Sequence, residues 1–175
     1  MSPEQERFDP RRILDVLDHH RVDYVLVGGF GSQLHGARRQ TFDLDVVPAT
    51  TADNHERLAN ALRELGARLR VAGLTDDEAR QLPVIIDAAT LHAFGSTTWT
   101  TDAGPLDVLR ELPVAGARRT FDELLERSTD VDVAGVVVHL ASLDDIIDSK
   151  THADRPKDRD ALPELLRLRS EPRRQ

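Results

Sequence analysis

Apolar positions recur along this chain with two different periods, and the switching between them lays out its secondary structure. Residues 10–19 gather Ile13, Leu14, Val16 and Leu17 on one face behind Pro10, whose fixed φ suits a first helical position, so a helix is expected there. Tyr24-Val25-Leu26-Val27 is a continuous apolar run that stops at Gly28-Gly29, the pattern of a buried strand entering a tight turn. A short helix over 30–35, closed by Gly36, follows that turn. Phe42-Asp43-Leu44-Asp45-Val46-Val47 reads as a strand halted by Pro48. Thr50 or Thr51 can then cap a helix whose apolar stripe includes Leu58, Leu62 and Leu65 and which ends near Gly66.

Downstream the pattern is weaker at first. A strand is expected over 67–71, whereas 73–89 is ambiguous, with helical character at 76–81 and an apolar run at 84–86. Residues 97–101 and 106–109 flank Asp102-Ala103-Gly104-Pro105, a turn sequence, and so predict a hairpin. A helix over 122–127 precedes a second hairpin, 131–133 with 136–140, joined across Ala134-Gly135. Ser142 caps a helix over 143–152, and a last helix runs from Pro156 to about 168. This order gives an α/β (α+β) class: a mixed β-sheet core flanked by helices, with a helical C-terminus. One domain over 1–170 is expected, its core about 21–141 and its C-terminal helices about 142–168, with a disordered tail at 171–175.

Composition narrows the chemistry. The chain has 175 residues and no cysteine, which excludes disulfides, zinc–thiolate sites and a cysteine nucleophile, and points to a reducing compartment. Any metal must be held by oxygen or imidazole. His20, His35, His55, His92, His139 and His152 show no metal-ligand spacing and read as structural or surface residues. No apolar run has the length of a signal peptide or a membrane span, so a cytoplasmic protein with no membrane partner is expected. A net charge of −8 argues against a generic nucleic-acid binder. Local charge differs, however: Arg38, Arg39, Arg63, Arg68 and Arg70, then Arg155, Lys157 and Arg159, form basic stretches that could line a groove. Solvated helix faces are the plainer reading for most of them.

Candidate chemistry centres on carboxylates. Asp43 and Asp45 lie two apart on a predicted strand, so both leave one face while Leu44 points to the core. Two carboxylates so close repel unless one is protonated or a hard divalent cation such as Mg²⁺ lies between them. Alone, an Asp-x-Asp fits any surface strand. Here the flanking Phe42, Leu44, Val46 and Val47 mark a core strand, and the upstream Gly28-Gly29 turn would set unhindered backbone N–H groups, with the Ser32 hydroxyl, at a helix start where phosphate binds. Asp107, a single acid among apolar residues, would complete a site for two divalent ions if its strand neighbours the first; Asp87 and Asp132 match the same pattern, which does not choose among them. Pro156 forces a turn that can fold Asp158 back onto Lys150 and so orient the lysine.

Taken together, Gly28-Gly29, His35-Gly36, Arg39-x-Thr41-x-Asp43-x-Asp45 and Asn54 resemble the polymerase-β type nucleotidyltransferase superfamily, and most of all its AbiEii-like and MenT-like bacterial toxin branch. The likeness extends to Gly104-Pro105-Leu106-Asp107-Val108-Leu109 and to Lys150 with Arg155-Pro156-Lys157-Asp158-Arg159-Asp160, and so spans roughly 24–168. It implies an NTP-dependent enzyme using Mg²⁺ or Mn²⁺, in which Asp43, Asp45 and Asp107 hold metal and Asp107 helps activate the attacking hydroxyl. Gly28, Gly29, Ser32, Arg39, Thr41, Lys150 and Asp158 would form the nucleotide site, with Lys150 reaching the phosphates. The turn departs from the superfamily's glycine-serine pair: it is Gly-Gly, with Gly31-Ser32 just inside the helix, which leaves open whether Ser32 or the glycine amides meet phosphate. The resemblance further implies a tRNA 3′ end as acceptor, with RNA contacts near Arg38, Arg68 and Arg155, and a cognate antitoxin as partner. Thr41 is then a candidate inhibitory phosphorylation point, since a phosphoryl group adds roughly −1.5 to −2 charge beside the acids. Transfer to a protein or small molecule such as an aminoglycoside, or a non-catalytic binding role, are the alternatives.

Overall fold

The structure is a computed structural model that describes residues 8–171. The tail expected at 171–175 therefore lies, from residue 172 onward, outside the described residues. In chain order the elements are α1 (Pro10–His19), β1 (Tyr24–Val27), α2 (Gly28–Leu34), β2 (Leu44–Pro48), α3 (Ala52–Glu64), β3 (Arg68–Leu69), α4 (Asp76–Arg80), α5 (Ala88–Phe94), β4 (Thr97–Thr101), β5 (Gly104–Val108), β6 (Leu112–Val114), β7 (Ala117–Arg119), α6 (Phe121–Glu126), β8 (Thr129–Val133), β9 (Val136–Leu140), α7 (Leu143–Ala153) and α8 (Pro156–Ser170). This is the mixed α/β architecture with a helical C-terminus that the pattern predicts. No described helix is long and apolar enough to cross a membrane.

One seven-stranded sheet, in the order β3-β4-β5-β2-β1-β9-β8, organises the chain, and β6 pairs with β7 separately. Its centre is mixed: β1 runs antiparallel to β2 but parallel to β9, and β2 runs parallel to β5. Because successive strand residues face opposite ways, the sheet sorts its apolar residues into two cores. Leu26, Leu44, Val46, Leu106 and Trp99 face the larger core with Ile13, Leu14 and Leu17 of α1 and Leu58, Leu62 and Leu65. Val25, Val27 and Val47 face the other core, with Ile146 and Ile147 of α7 and Ala161 and Leu165 of α8. Each fully buried leucine or isoleucine here contributes about 1.5–3 kcal/mol relative to exposure.

Several expectations shift. The helix after β1 begins at Gly28, not at residue 30: Gly28 takes φ +66° and Val27 caps the helix without a side-chain hydrogen bond, so the glycines form its first turn. The ladder of β2 starts at Leu44, which leaves Phe42 and Asp43 just ahead of it, and Pro48 pairs with Tyr24 as its last member. In the first hairpin Pro105 pairs with Thr100, so Asp102-Ala103 alone make the turn. Residues 84–86 form no strand. They lead instead to α5, which the sequence pattern had not shown, capped by Asp87 accepting from the Thr90 amide at 2.7 Å. The β6–β7 hairpin was also absent from the expectation.

Candidate active site

The β2–β5 register puts Asp45 directly beside Asp107, and β4 brings Thr98 opposite Asp107. Sheet geometry thus lays Val27, Asp45, Asp107 and Thr98 in one row across four strands, while Leu44 and Leu106 face the core, fully buried. On this face α7 and α8 pack toward the β1 side, and the β5–β4–β3 side borders an open cleft of about 710 Å³. Asp43, one residue ahead of β2, lines the same cleft, and its Oδ1 accepts the Thr41 hydroxyl. Asp107 is therefore the acid that joins the pair. Asp87 caps α5, and Asp132 lies on β8 at the far sheet edge.

Crowding shows in the electrostatics. Burial, then the charges of Asp43 and Asp107, push Asp45 up to about 7, against a Gly29 backbone hydrogen bond and the Lys157 charge. Burial likewise raises Asp107, opposed by a hydrogen bond with the Thr98 side chain and reinforced by Asp43. Asp107 Oδ1 is buried with no hydrogen-bond partner. A buried acceptor left unpaired is costly, and a divalent cation would satisfy it, so the oxygen donors fit such an ion. Among the described residues, the His/Asp/Glu group whose ligand atoms all lie within 4.8 Å of one another is His19, His20 and Glu64, at the end of α1 and on α3.

Asp45 has a folded-state pKa above its ordinary value, so the folded protein holds a proton that the unfolded chain has released. Its stabilising contribution is present at low pH and is lost as pH rises through about 7. The melting temperature gained on adding Mg²⁺ should therefore be larger near pH ~8 than near pH ~6, because protons compete with the ion. Differential scanning fluorimetry at the two pH values checks this, and an equal or larger shift at the lower pH contradicts it.

The opposite wall is cationic. Asp154 at φ +46° ends α7, and Pro156 opens α8, so the chain folds back and buries the Asp158 side chain to 1% exposure. Asp158 accepts from Lys150 Nζ at 3.4 Å and from Arg155 Nε at 2.6 Å. Burial alone would raise its pKa; Arg155 and Lys150 instead hold it below the usual carboxylate range. Lys150, Arg155, Lys157 and Arg39 all line the cleft, and Arg39 lies 3.8 Å from Asp160 of α8. This is the Lys150–Asp158 pairing expected from Pro156.

The glycine turn is tightly fitted. A Cβ at Gly28 would overlap the Asp45 carboxylate, and one at Gly29 would stand 2.6 Å from Thr41 Oγ1. Ser32 is buried and its hydroxyl donates to the Gly28 carbonyl at 2.9 Å, which braces the turn. His35 Nε2 lies 2.8 Å from the Ala141 carbonyl. Arg68, expected among the RNA contacts, donates to Gly66 O and Asp102 instead.

Two residues, Thr98 and Asp145, escaped the sequence reading as site features, whereas Arg70 belonged to a basic stretch that could line a groove. Thr98 shares a face with Thr100 by strand alternation, and Arg70 sits just past β3, donating its amide to Thr98 O at 2.8 Å and lining the cleft. Asp145 is fully buried on α7, reached by Ser142 Oγ at 2.6 Å, Arg127 Nε at 3.1 Å and Arg119 Nε at 3.6 Å. It ties α6 and β7 to the helix that carries Lys150. Its position in a first helical turn, three residues after a serine cap, was its one visible signal.

No family model matches this chain, and no curated protein matches it in sequence. Solved structures do match. The lincosamide antibiotic adenylyltransferase LnuA with bound lincomycin superposes with a TM-score of 0.60 at 16% identity, over 93% of this chain and 99% of LnuA. The antibiotic-resistance factor ANT(2″)-Ia, in complex with adenylyl-2″-tobramycin, gives 0.52 at 19% identity over 91% of this chain and 84% of its own. Its solution structure gives 0.52 at 18% identity over 91% and 79%. With Asp45 and Asp107 side by side on a parallel strand pair under a two-helix wall, this chain has the fold of the nucleotidyltransferases.

Proposed function

We propose that this chain is a metal-dependent nucleotidyltransferase that moves a nucleotidyl group from an NTP to a hydroxyl. The observation that carries the reading is the in-register Asp45–Asp107 pair, with Asp43 beside it, facing a wall built from Lys150, Arg155 and Lys157. In the reaction the acceptor oxygen bonds to the α-phosphorus as the bond from that phosphorus to the bridging oxygen breaks. The electron pair leaves with pyrophosphate, and Asp107 takes the hydroxyl proton. Lys150, Arg155, Arg39 and the Gly28–Gly29 turn would hold the triphosphate, with Asp158 fixing the first two. Mg²⁺ or Mn²⁺ on Asp43, Asp45 and Asp107 would offset charge that builds on the phosphoryl oxygens.

The AbiEii-like and MenT-like resemblance makes the acceptor a tRNA 3′ end and the protein a growth-inhibiting cytoplasmic toxin with a cognate antitoxin. The cationic residues along the cleft support a polyanionic acceptor. LnuA and ANT(2″)-Ia favour the second reading, a small-molecule acceptor. Thr41, hydrogen-bonded to Asp43, would carry an inhibitory phosphoryl group against the metal-holding acids.

Labelled NTP offered in turn with tRNA, a protein extract, tobramycin and lincomycin separates these readings. Label on tRNA with wild type, lost with Asp43→Ala and sharply reduced with Thr41→Glu, is the expected pattern. Label on an antibiotic selects the second reading. Transfer that survives Asp43→Ala discards the metal site, and full activity of Thr41→Glu discards the phosphorylation point.

A further inference from the structure

We infer that His19, His20 and Glu64 form a second metal site, one that takes a divalent transition ion of the zinc kind and staples the end of α1 to the end of α3. The site is independent of the nucleotidyltransferase reading and lies on the other face of the sheet. The helices that wall the cleft, α7 and α8, pack on the core of Val25, Val27 and Val47, whereas α1 and α3 pack on the core of Leu26, Leu44 and Val46. Amphipathic faces bring the three ligands together. Ile13, Leu14 and Leu17 of α1 share their core with Leu58, Leu62 and Leu65, so that His19 and the capping His20 meet Glu64, the last residue of α3.

Their ligand atoms all lie within 4.8 Å of one another. His20 Nε2 is 2.7 Å from Glu64 Oε2, and the His19 and His20 rings stand edge to face with centroids 5.1 Å apart. Bonds of about 2.0–2.2 Å in a tetrahedron put neighbouring ligand atoms about 3.4 Å apart. Small rotations of three side chains at two helix ends therefore close the shell around an ion. His19 and Glu64 are exposed and His20 is half-buried, which leaves entry from solvent and a position for water as the fourth ligand.

Electrostatics at the two helix ends favours a cation. A helix C-terminus carries a partial negative charge, about half an elementary charge, and both α1 and α3 end here. A carboxylate is badly placed at such an end, yet Glu64 occupies it. Its ion partner is His20, which is charged only when protonated, while the neighbouring Arg63 reaches back to Glu56 and Asn60. A divalent ion held by neutral imidazoles supplies positive charge to the carboxylate and to both helix ends. Two nitrogens and one oxygen select its kind: imidazole suits zinc and its neighbours, whereas Mg²⁺ takes oxygen ligands. Spacing along the chain does not reveal this set, because Glu64 lies 44 positions beyond His20.

Untagged protein dialysed against Zn²⁺ in excess Mg²⁺, then analysed for bound metal, tests the site. Wild type should retain one zinc more per chain than His19→Ala. That variant removes an exposed side chain whose neighbour is the His20 ring, so without zinc it should melt as wild type does. Zinc at ~100-fold excess over its Kd should raise the wild-type melting temperature by on the order of 5 °C, and His19→Ala and Glu64→Gln should each lose at least half of that shift. Asp43→Ala combined with Asp107→Asn removes cleft ligands and should keep the zinc that His19→Ala loses. In that double variant zinc should slow amide hydrogen exchange at the ends of α1 and α3. Equal zinc content in wild type and His19→Ala, loss of the zinc in the cleft variant, or its displacement by Mg²⁺ would overturn the site. The comparison of wild type with His19→Ala decides by itself if the cleft variant does not fold.

Discussion

Asp45→Asn should abolish nucleotidyl transfer and yet make the metal-free protein harder to melt. On the proposed function, loss of one metal-holding carboxylate at a phosphoryl centre would remove charge stabilisation that only the transition state enjoys, so a fall of at least about 10³-fold in kcat is expected. The stability gain comes from the same residue. Asp45 is hemmed in by Asp43 and Asp107 and is pushed up to about 7, so above neutral pH the fold must carry a crowded, poorly solvated charge. An amide of the same shape removes that repulsion. Each kcal/mol relieved raises the melting temperature of a chain this size by about 2–4 °C. The variant should also lose the Mg²⁺-induced shift seen with wild type. Thermal melts near pH ~8 with and without Mg²⁺, alongside the labelled transfer assay, test both halves. A variant that melts lower than wild type, or still transfers label at the wild-type rate, contradicts the picture of a site held under electrostatic strain.

Gly28→Ala should damage both folding and activity, and more than Gly29→Ala. Gly28 sits at φ +66°, where an L side chain costs about 1–2 kcal/mol, and its new methyl would overlap the Asp45 carboxylate. Asp45 belongs to a central strand paired on both sides and has little room to retreat. A melting temperature lower by about 4–8 °C and a displaced Asp45, the proposed metal ligand, follow. At Gly29, whose φ is not positive, the obstacle is the Thr41 side chain, in a segment outside helix and strand and not in a paired central strand. Calorimetry of the two variants decides the order, and a Gly28→Ala protein as stable as wild type removes the close packing of turn against acid.

Long periodic segments and their caps were legible in the sequence. Pro10–His19, Tyr24–Val27 and the Thr51-capped α3 stand where the pattern placed them, because apolar stripe, cap and breaker all agree there. The pairing of Asp107 with Asp45 was legible only as a condition. Single-chain alternation says which way a side chain points but not which strand lies alongside, and the β2–β5 partnership joins residues more than sixty positions apart. The short elements were invisible for a related reason: β6 and β7 have three residues each, too few to display a period. Arg68 and Arg70 carry the same charge in the same stretch. Only the fold separates them: Arg68 bonds Asp102 of the β4–β5 hairpin, and Arg70 lines the cleft.

The sheet's centre also dictates an order of events during biosynthesis. Strand β1 emerges early yet takes its parallel neighbour from His139 and Leu140, and the wall residues Lys150 and Asp158 come later still. Loop closure over so much chain is slow and cannot begin until the distal partner exists. A ribosome-bound fragment lacking those segments has Asp43, Asp45 and the Gly28–Gly29 turn but not the wall built on Lys150 and Asp158. Under the proposed function, such a polypeptide lacks part of its triphosphate site until the distal segments have been made and have docked on the sheet.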